Sequence, residues 1–289
     1  MKKFSAIIFM LAASFFFACA TVLVKGLGQS NIGEGVHPFQ IAYARFFFSF
    51  IFLIIIWFFL DRFEIKSSNI HIHILRSTLG WAGVTILFTA ILYIPISDAT
   101  ALTFLNPIFA MIFAVIFFRE KVELVRWFAA VVSLLGGLIL IRPTLNFNVD
   151  PIALLCLFGA MIMGLEIICI KVLSNKEEVF KILLFNNFFA MCIGSFFLPF
   201  FLMPVSILEF IVLTVIAFFM VTGQFCFINS LKKADTSFLM PFFYTTLIFV
   251  ILFDFIFFDS MPDKISYFGA SIIIFGSLVV SFRELHTNK

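Results

Sequence analysis

Runs of about 20 mostly apolar residues, the length an α-helix needs to cross the hydrocarbon core of a bilayer, recur ten times along this chain with short polar breaks between them. They lie at roughly 4–24, 38–60, 76–93, 97–118, 124–141, 152–173, 180–201, 207–230, 236–258 and 265–282. In lipid every backbone N–H and C=O has to find its partner within the chain, so runs of this length predict helices. With 63% hydrophobic and 12% charged residues, the chain lacks the polar surface that a soluble domain needs. The expected fold class is an all-α membrane protein of ten transmembrane helices. No connecting segment of the 289 residues has room for a soluble catalytic domain, so function has to reside among the helices.

Lys and Arg set the orientation, because basic residues in short loops stay on the cytoplasmic side. With the N-terminus inside, Lys2, Lys3, Arg62, Lys66, Arg76, Arg119, Lys121, Arg126, Lys171, Lys176, Lys181, Lys232, Lys233, Arg283 and Lys289 all fall in the cytoplasm, fifteen of nineteen. Lys25, Arg142 and Lys264 fall outside, and Arg45 lies within a span. Both termini are therefore expected inside a bacterial inner membrane. The net charge of +3 follows from this topology and is no footprint for nucleic acid. Lys2-Lys3 before an apolar run, with Phe17-Ala18-Cys19 behind it, has the outline of a signal sequence, but cleavage there would leave an odd span count and spoil the charge pattern. The first run is expected to remain as a helix.

Other chemistries are poorly served. Cys19, Cys156, Cys169, Cys192 and Cys226 all lie in apolar runs, where cysteine acts as a small hydrophobe. His71 and His73 read as solvated residues of a cytoplasmic loop, and His37 and His286 stand alone, so no metal or other cofactor is expected. Gly26-Leu27-Gly28 lacks the strand and helix context of a phosphate loop. A membrane-embedded enzyme would need a convergent catalytic set, and no histidine is read within a span. An assembly or sensor protein would be expected to carry a soluble domain or a long tail. Transport of a small-molecule solute across the lipid bilayer is the reading that remains, with a homodimer left open.

Transporters are often built from two related halves. Asp98-Ala99-Thr100 opens the fourth run, which ends at Phe117-Phe118-Arg119-Glu120 and leads to a fifth carrying Gly136-Gly137. Asp235-Thr236-Ser237 opens the ninth run, Phe257-Phe258-Asp259 closes it and Gly276 lies in the tenth, at offsets of roughly 137 to 140 residues. The expected units are residues 1–146 and 147–289, five helices each. Five is odd, so the second half enters the membrane from the opposite side and the pair is inverted.

The ten-span layout, Tyr43-Ala44-Arg45-Phe46 in the second run, Asn106-Pro107 in the fourth, the Arg119-Glu120-Lys121 end and the glycine-bearing fifth run together resemble the drug/metabolite transporter superfamily, EamA branch. Within it, Phe39-Gln40-Ile41-Ala42-Tyr43-Ala44-Arg45-Phe46-Phe47-Phe48-Ser49 and His73-Ile74-Leu75-Arg76 are similar to stretches of the S-adenosylmethionine uptake carriers of intracellular alphaproteobacteria. The resemblance implies a secondary transporter working by alternating access around a midplane cavity. It also implies that the first, third, fourth, sixth, eighth and ninth helices line that cavity. The solute would be S-adenosylmethionine or an amino-acid-like metabolite, with export of amino acids or drugs as the alternative. One departure is visible: Pro107 lies 13 residues before Glu120, but the same distance before Asp259 reaches Thr246, and Pro241 comes about a turn too early.

Charges at bilayer depth cost about 2.5–3.5 kcal/mol each on insertion scales, so they face a cavity or a partner. Arg45, Glu166 and Asp254 are the three expected here. Glu166 shares a helical face with Gly159, Met163 and Ile170 and is the leading candidate to hold a cationic amine, a sulfonium or a coupling proton, the alternative being a structural partner of Arg45. Arg45 is expected to be structural or gating, its stem reaching toward the outer surface, and Asp254 interfacial. Trp81, Asn106, Gln224 and Tyr244, at similar depth, complete the candidate solute site. Pro107 removes one helical hydrogen bond and is expected to kink the fourth helix beside the pathway.

Overall fold

The computed structural model describes residues 2–60, 67–118, 124–141, 150–174, 176–233, 239 and 242–287. Within them the chain forms eleven helices: α1 Lys2–Gly28, α2 Pro38–Leu60, α3 Ile70–Tyr93, α4 Ile96–Thr103, α5 Asn106–Phe118, α6 Leu124–Ile141, α7 Pro151–Ser174, α8 Val179–Phe201, α9 Ile207–Lys233, α10 Thr245–Phe258 and α11 Lys264–Thr287. Seven spans among the described residues are long and apolar enough to cross a membrane, counting 96–117 through its internal break as one. Thr245–Phe258 is a shorter apolar helix, as is Lys264–Phe275 within α11. Arg62, Lys66, Arg119, Lys121, Arg142 and Pro241 lie outside the described residues.

Polar side chains within the helices pair locally, as an apolar solvent demands. Thr21, Ser77, Thr85, Thr89, Thr100 and Thr103 each donate to the carbonyl four residues earlier, at 2.6–2.8 Å. Large apolar side chains point outward instead, among them Phe58, Phe59, Phe196, Ile207 and Phe257, and form the lipid-facing surface. α1 packs along α9, α2 along α8, α3 along α7, and α6 along α11. The α1–α9 seam is fastened where Ser230 donates to the Ala6 carbonyl at 2.7 Å. At the α6–α11 seam the backbones come so close that a Cβ on Gly136 would lie 2.9 Å from the Gly269 carbonyl oxygen, which is why glycine stands there.

One helix begins earlier than its apolar run, and two of the runs are interrupted along their length. α3 starts at Ile70, not Arg76, so His73 and Arg76 sit on the helix, both fully buried. The solvated-loop reading of His73 and the placement of Arg76 at the edge of its helix are thereby corrected; His71 is exposed. The reason is physical: Glu177 pairs with His73 Nε2 and the Ile182 carbonyl accepts from Arg76 Nη1, giving each side chain one partner inside the bundle. The fourth run is divided into α4 and α5 by a turn at Phe104–Leu105, immediately before Asn106-Pro107. The ninth run has a turn at Tyr244, between helical residues at Phe242 and Phe243 and the start of α10.

Candidate functional site

Glu166 projects from α7 toward α3, where Gly80 provides space: a Cβ at residue 80 would stand 2.8 Å from Glu166 Oε1. One turn earlier on α3, Arg76 Nε lies 3.8 Å from the same oxygen. Arg76 also donates from Nη1 to the Ile182 carbonyl of α8 at 3.1 Å. From α2, Arg45 comes within the field of both Glu166 and Arg76. Arg45 is 2% exposed, Arg76 0% and Glu166 7%, so one carboxylate and two guanidinium groups lie inside the helix bundle. Arg45 does not reach the surface, and its expected snorkelling is corrected. The ionic neighbour nearest Glu166 is Arg76, a residue that the sequence presents only as the edge of an apolar run.

The polar atoms of this cluster are incompletely paired. Among the described residues, Arg45 Nε and Nη1, Arg76 Nε and Nη2, and both amide atoms of Asn186 make no hydrogen bond. Asn186 lies one turn along α8 from Ile182, on the face that receives Arg76. It is almost fully buried and was not singled out from sequence, because asparagine in a span often only ties helices together. Trp81 forms an aromatic wall nearby. Its ring stacks on Phe197 of α8 at 5.0 Å, meets Phe39 edge-on at 6.0 Å, and its unpaired Nε1 faces Gly194.

The other candidates lie elsewhere. Asn106 opens α5 against Gly164 of α7, a position about 200° round the helix from Glu166. Its Oδ1 is buried and unpaired. Tyr244, at the turn before α10, stands edge-to-face with Phe104 at 4.9 Å and donates a long hydrogen bond, 3.4 Å, to the Phe104 carbonyl. The two helix breaks therefore meet. Ser14 of α1 donates to the Phe242 and Phe243 carbonyls at 3.3 Å each, and Thr245 and Thr246 donate to the same two carbonyls at 2.6 Å. Gln224 of α9 follows Gly223, which packs against Phe16 and Phe17 of α1, and its Oε1 is unpaired. The structure thus gathers Glu166 and Arg45 into one cluster beside Trp81, and Asn106 and Tyr244 about the breaks.

Asp254 is not part of these groups. It is buried in α10 and pairs with Lys25 of α1 at 2.5 Å. Lys25, read as a simple span end, is its structural partner. On the opposite side of the bundle Glu177, between α7 and α8, accepts from Ser67 and from Asn69 at 3.2 Å, and bonds His73 Nε2 at 2.9 Å. Partial burial alone would raise the Glu177 carboxyl, but the hydrogen bonds from Ser67, Asn69 and His73 prevail and hold it below its ordinary range.

Comparison with known proteins agrees with this architecture. The EamA-like transporter family matches the chain twice, over residues 4–142 and 150–282. The chain is similar to the S-adenosylmethionine uptake transporter of Rickettsia prowazekii (strain Madrid E), with 27% identity over 275 residues, covering 93% of this chain and 92% of that protein. It is also similar to the pseudopaline exporter CntI of Pseudomonas aeruginosa (strain UCBPP-PA14), with 21% identity over 96% of both chains. One solved crystal structure, 14% identical, superposes over 99% of both chains with a TM-score of 0.69, a likeness of fold. The chain belongs to the EamA-like transporter family and is a multi-pass inner-membrane transporter of small-molecule solutes.

Proposed function

We propose that this transporter takes up S-adenosylmethionine or a similar amino-acid-like solute, holding it against the Glu166 cluster during alternating access. The observation that carries the reading is a buried carboxylate that Arg76 approaches at 3.8 Å and that lies within the field of Arg45, both arginines keeping unpaired donors, whereas the Lys25–Asp254 pair is self-contained. Buried polar groups without partners are costly, and in a transporter they mark where a polar solute is received. The uptake relatives from Rickettsia favour S-adenosylmethionine as the first solute to test.

The same reading takes the chain as ten spans with both termini inside, built as two inverted repeats meeting at 146/147. Three observations support it. The family matches twice in succession. Helices pair across the molecule as α1–α9, α2–α8, α3–α7 and α6–α11. The breaks at Phe104–Leu105 and Tyr244 oppose one another. Rocking of one half against the other would expose the cluster to each side in turn.

Uptake of labelled S-adenosylmethionine into proteoliposomes tests the proposal. The native chain is expected to accumulate or exchange it, and Glu166→Gln, checked for a monodisperse profile, to lose most of that activity. Normal uptake by Glu166→Gln would remove Glu166 from the site, and no uptake of S-adenosylmethionine or amino acids would sink the assignment of solute.

A further inference from the structure

The buried cluster carries an excess of one positive charge. Arg45 and Arg76 supply two guanidinium groups and Glu166 a single carboxylate, all at least nine-tenths buried. At 3.8 Å the Arg76–Glu166 approach is ionic but too long for a hydrogen bond, which leaves Nε and Nη2 of Arg76 with unused donors. Arg45 has two more, at Nε and Nη1. Guanidinium groups in low dielectric without an anion to match them are unfavourable, and their forked donors fit a carboxylate in bidentate fashion.

We propose that Arg45 and Arg76 form the anchor for the carboxylate of the transported solute, so that the site selects solutes bearing an α-carboxylate over otherwise identical ones without it. The inference rests on the reading that an amino-acid-like solute is held at the Glu166 cluster. A carboxylate brings the single negative charge that balances the excess. A phosphate monoester, at about −1.5 to −2 near neutral pH, would overshoot it. Asn186, with both amide atoms unpaired on the Arg76 side of α8, offers a donor and an acceptor for the neighbouring groups of such a head. The cationic groups of the solute, its ammonium and, in S-adenosylmethionine, its sulfonium, would meet Glu166 and the aromatic wall of Trp81 and Phe197.

The test uses the full chain in lipid nanodiscs and probes that differ only at the carboxyl group: S-adenosylmethionine against its decarboxylated form, and methionine against methioninamide. Affinities are read by competition and by thermal stabilisation. On the native sequence, the acid is expected to bind at least about tenfold more tightly than its counterpart in any pair that binds, the ratio that a charged hydrogen bond supplies. Arg45→Gln and Arg76→Gln are expected to erase that preference, and Arg45→Lys to retain part of it. Because the native chain gives the first contrast, no variant has to fold for the proposal to fail. Equal affinity within each binding pair overturns the anchor and leaves S-adenosylmethionine uptake standing. Binding of neither pair overturns both the anchor and the proposed solute. Stabilisation by inorganic phosphate with no preference between pair members also overturns the anchor.

Discussion

A methyl group at residue 80 would press on Glu166 Oε1 from 2.8 Å, whereas one at residue 83 would meet the Cγ of Met163 at 2.5 Å. The second neighbour is a methylene near the root of a thioether side chain outside the charged cluster, while the first is the carboxylate end of Glu166, buried beside Arg76. Gly80→Ala is therefore expected to lower S-adenosylmethionine uptake sharply with little loss of thermal stability, and Gly83→Ala to leave uptake near native. Equal effects of the two on proteoliposome uptake would mean that the carboxylate is not placed where the solute meets it. Lys25 and Asp254 predict the opposite balance. Asp254→Asn strands a buried ammonium and is expected to cost about 3–5 kcal/mol, whereas Lys25→Met with Asp254→Leu restores stability. Denaturation followed by intrinsic fluorescence checks both. Glu166 and Asp254 were legible from sequence because a carboxylate in an apolar run is conspicuous. Arg76 was not, since a basic residue at the edge of a run looks the same whether it flanks the membrane or turns back into the bundle toward Ile182 and Glu166.

The breaks in the fourth and ninth runs are built by different means. In the first half Pro107 lacks an N–H, and the helix resumes at Asn106 after a turn. In the second half hydroxyl groups do the work: Thr245, Thr246 and Ser14 donate to the carbonyls of Phe242 and Phe243. A proline marks such a place in the sequence for that reason, whereas threonine does not, because similar back-bonding to a nearby carbonyl occurs at Thr85 and Thr89 of the unbroken α3. Ser14 reaches across from α1 and is fully buried, so Ser14→Ala is expected to destabilise the fold by about 0.6 kcal/mol, and by no more than about 1.7 kcal/mol. A chemical denaturation series in mild detergent measures it. A loss within error of zero would show that the threonines alone satisfy the break.

Among the described residues, polar ties between separate parts of the chain are found at both ends of the bundle as well as at the helix breaks. At one end Lys25 holds Asp254, and Gln40 exchanges two hydrogen bonds of 2.9 Å with the backbone of Met203. At the other, Glu177 gathers Ser67, Asn69 and His73, while its own carbonyl accepts from Lys232 at 2.8 Å. The Glu177 carboxyl is held below its ordinary range, so its contribution is fully present above about pH 4.3, the unfolded value, and is lost as pH falls through the lower folded value. Thermal stability of the native chain is expected to drop across that acid window. Glu177→Gln is expected to lack that part of the drop, and identical pH profiles would show that the latch contributes nothing. A solute received at the Glu166 cluster would cover the side chains one turn away from it. Cys169 lies one turn from Glu166 on α7 and is buried, whereas Cys192 on α8 is exposed. Two variants, each keeping one of these cysteines, can be alkylated in membranes with and without S-adenosylmethionine. The solute is expected to slow labelling of Cys169 and to leave that of Cys192 unchanged. Labelling of Cys169 that is indifferent to S-adenosylmethionine, at concentrations that saturate uptake, would contradict that expectation.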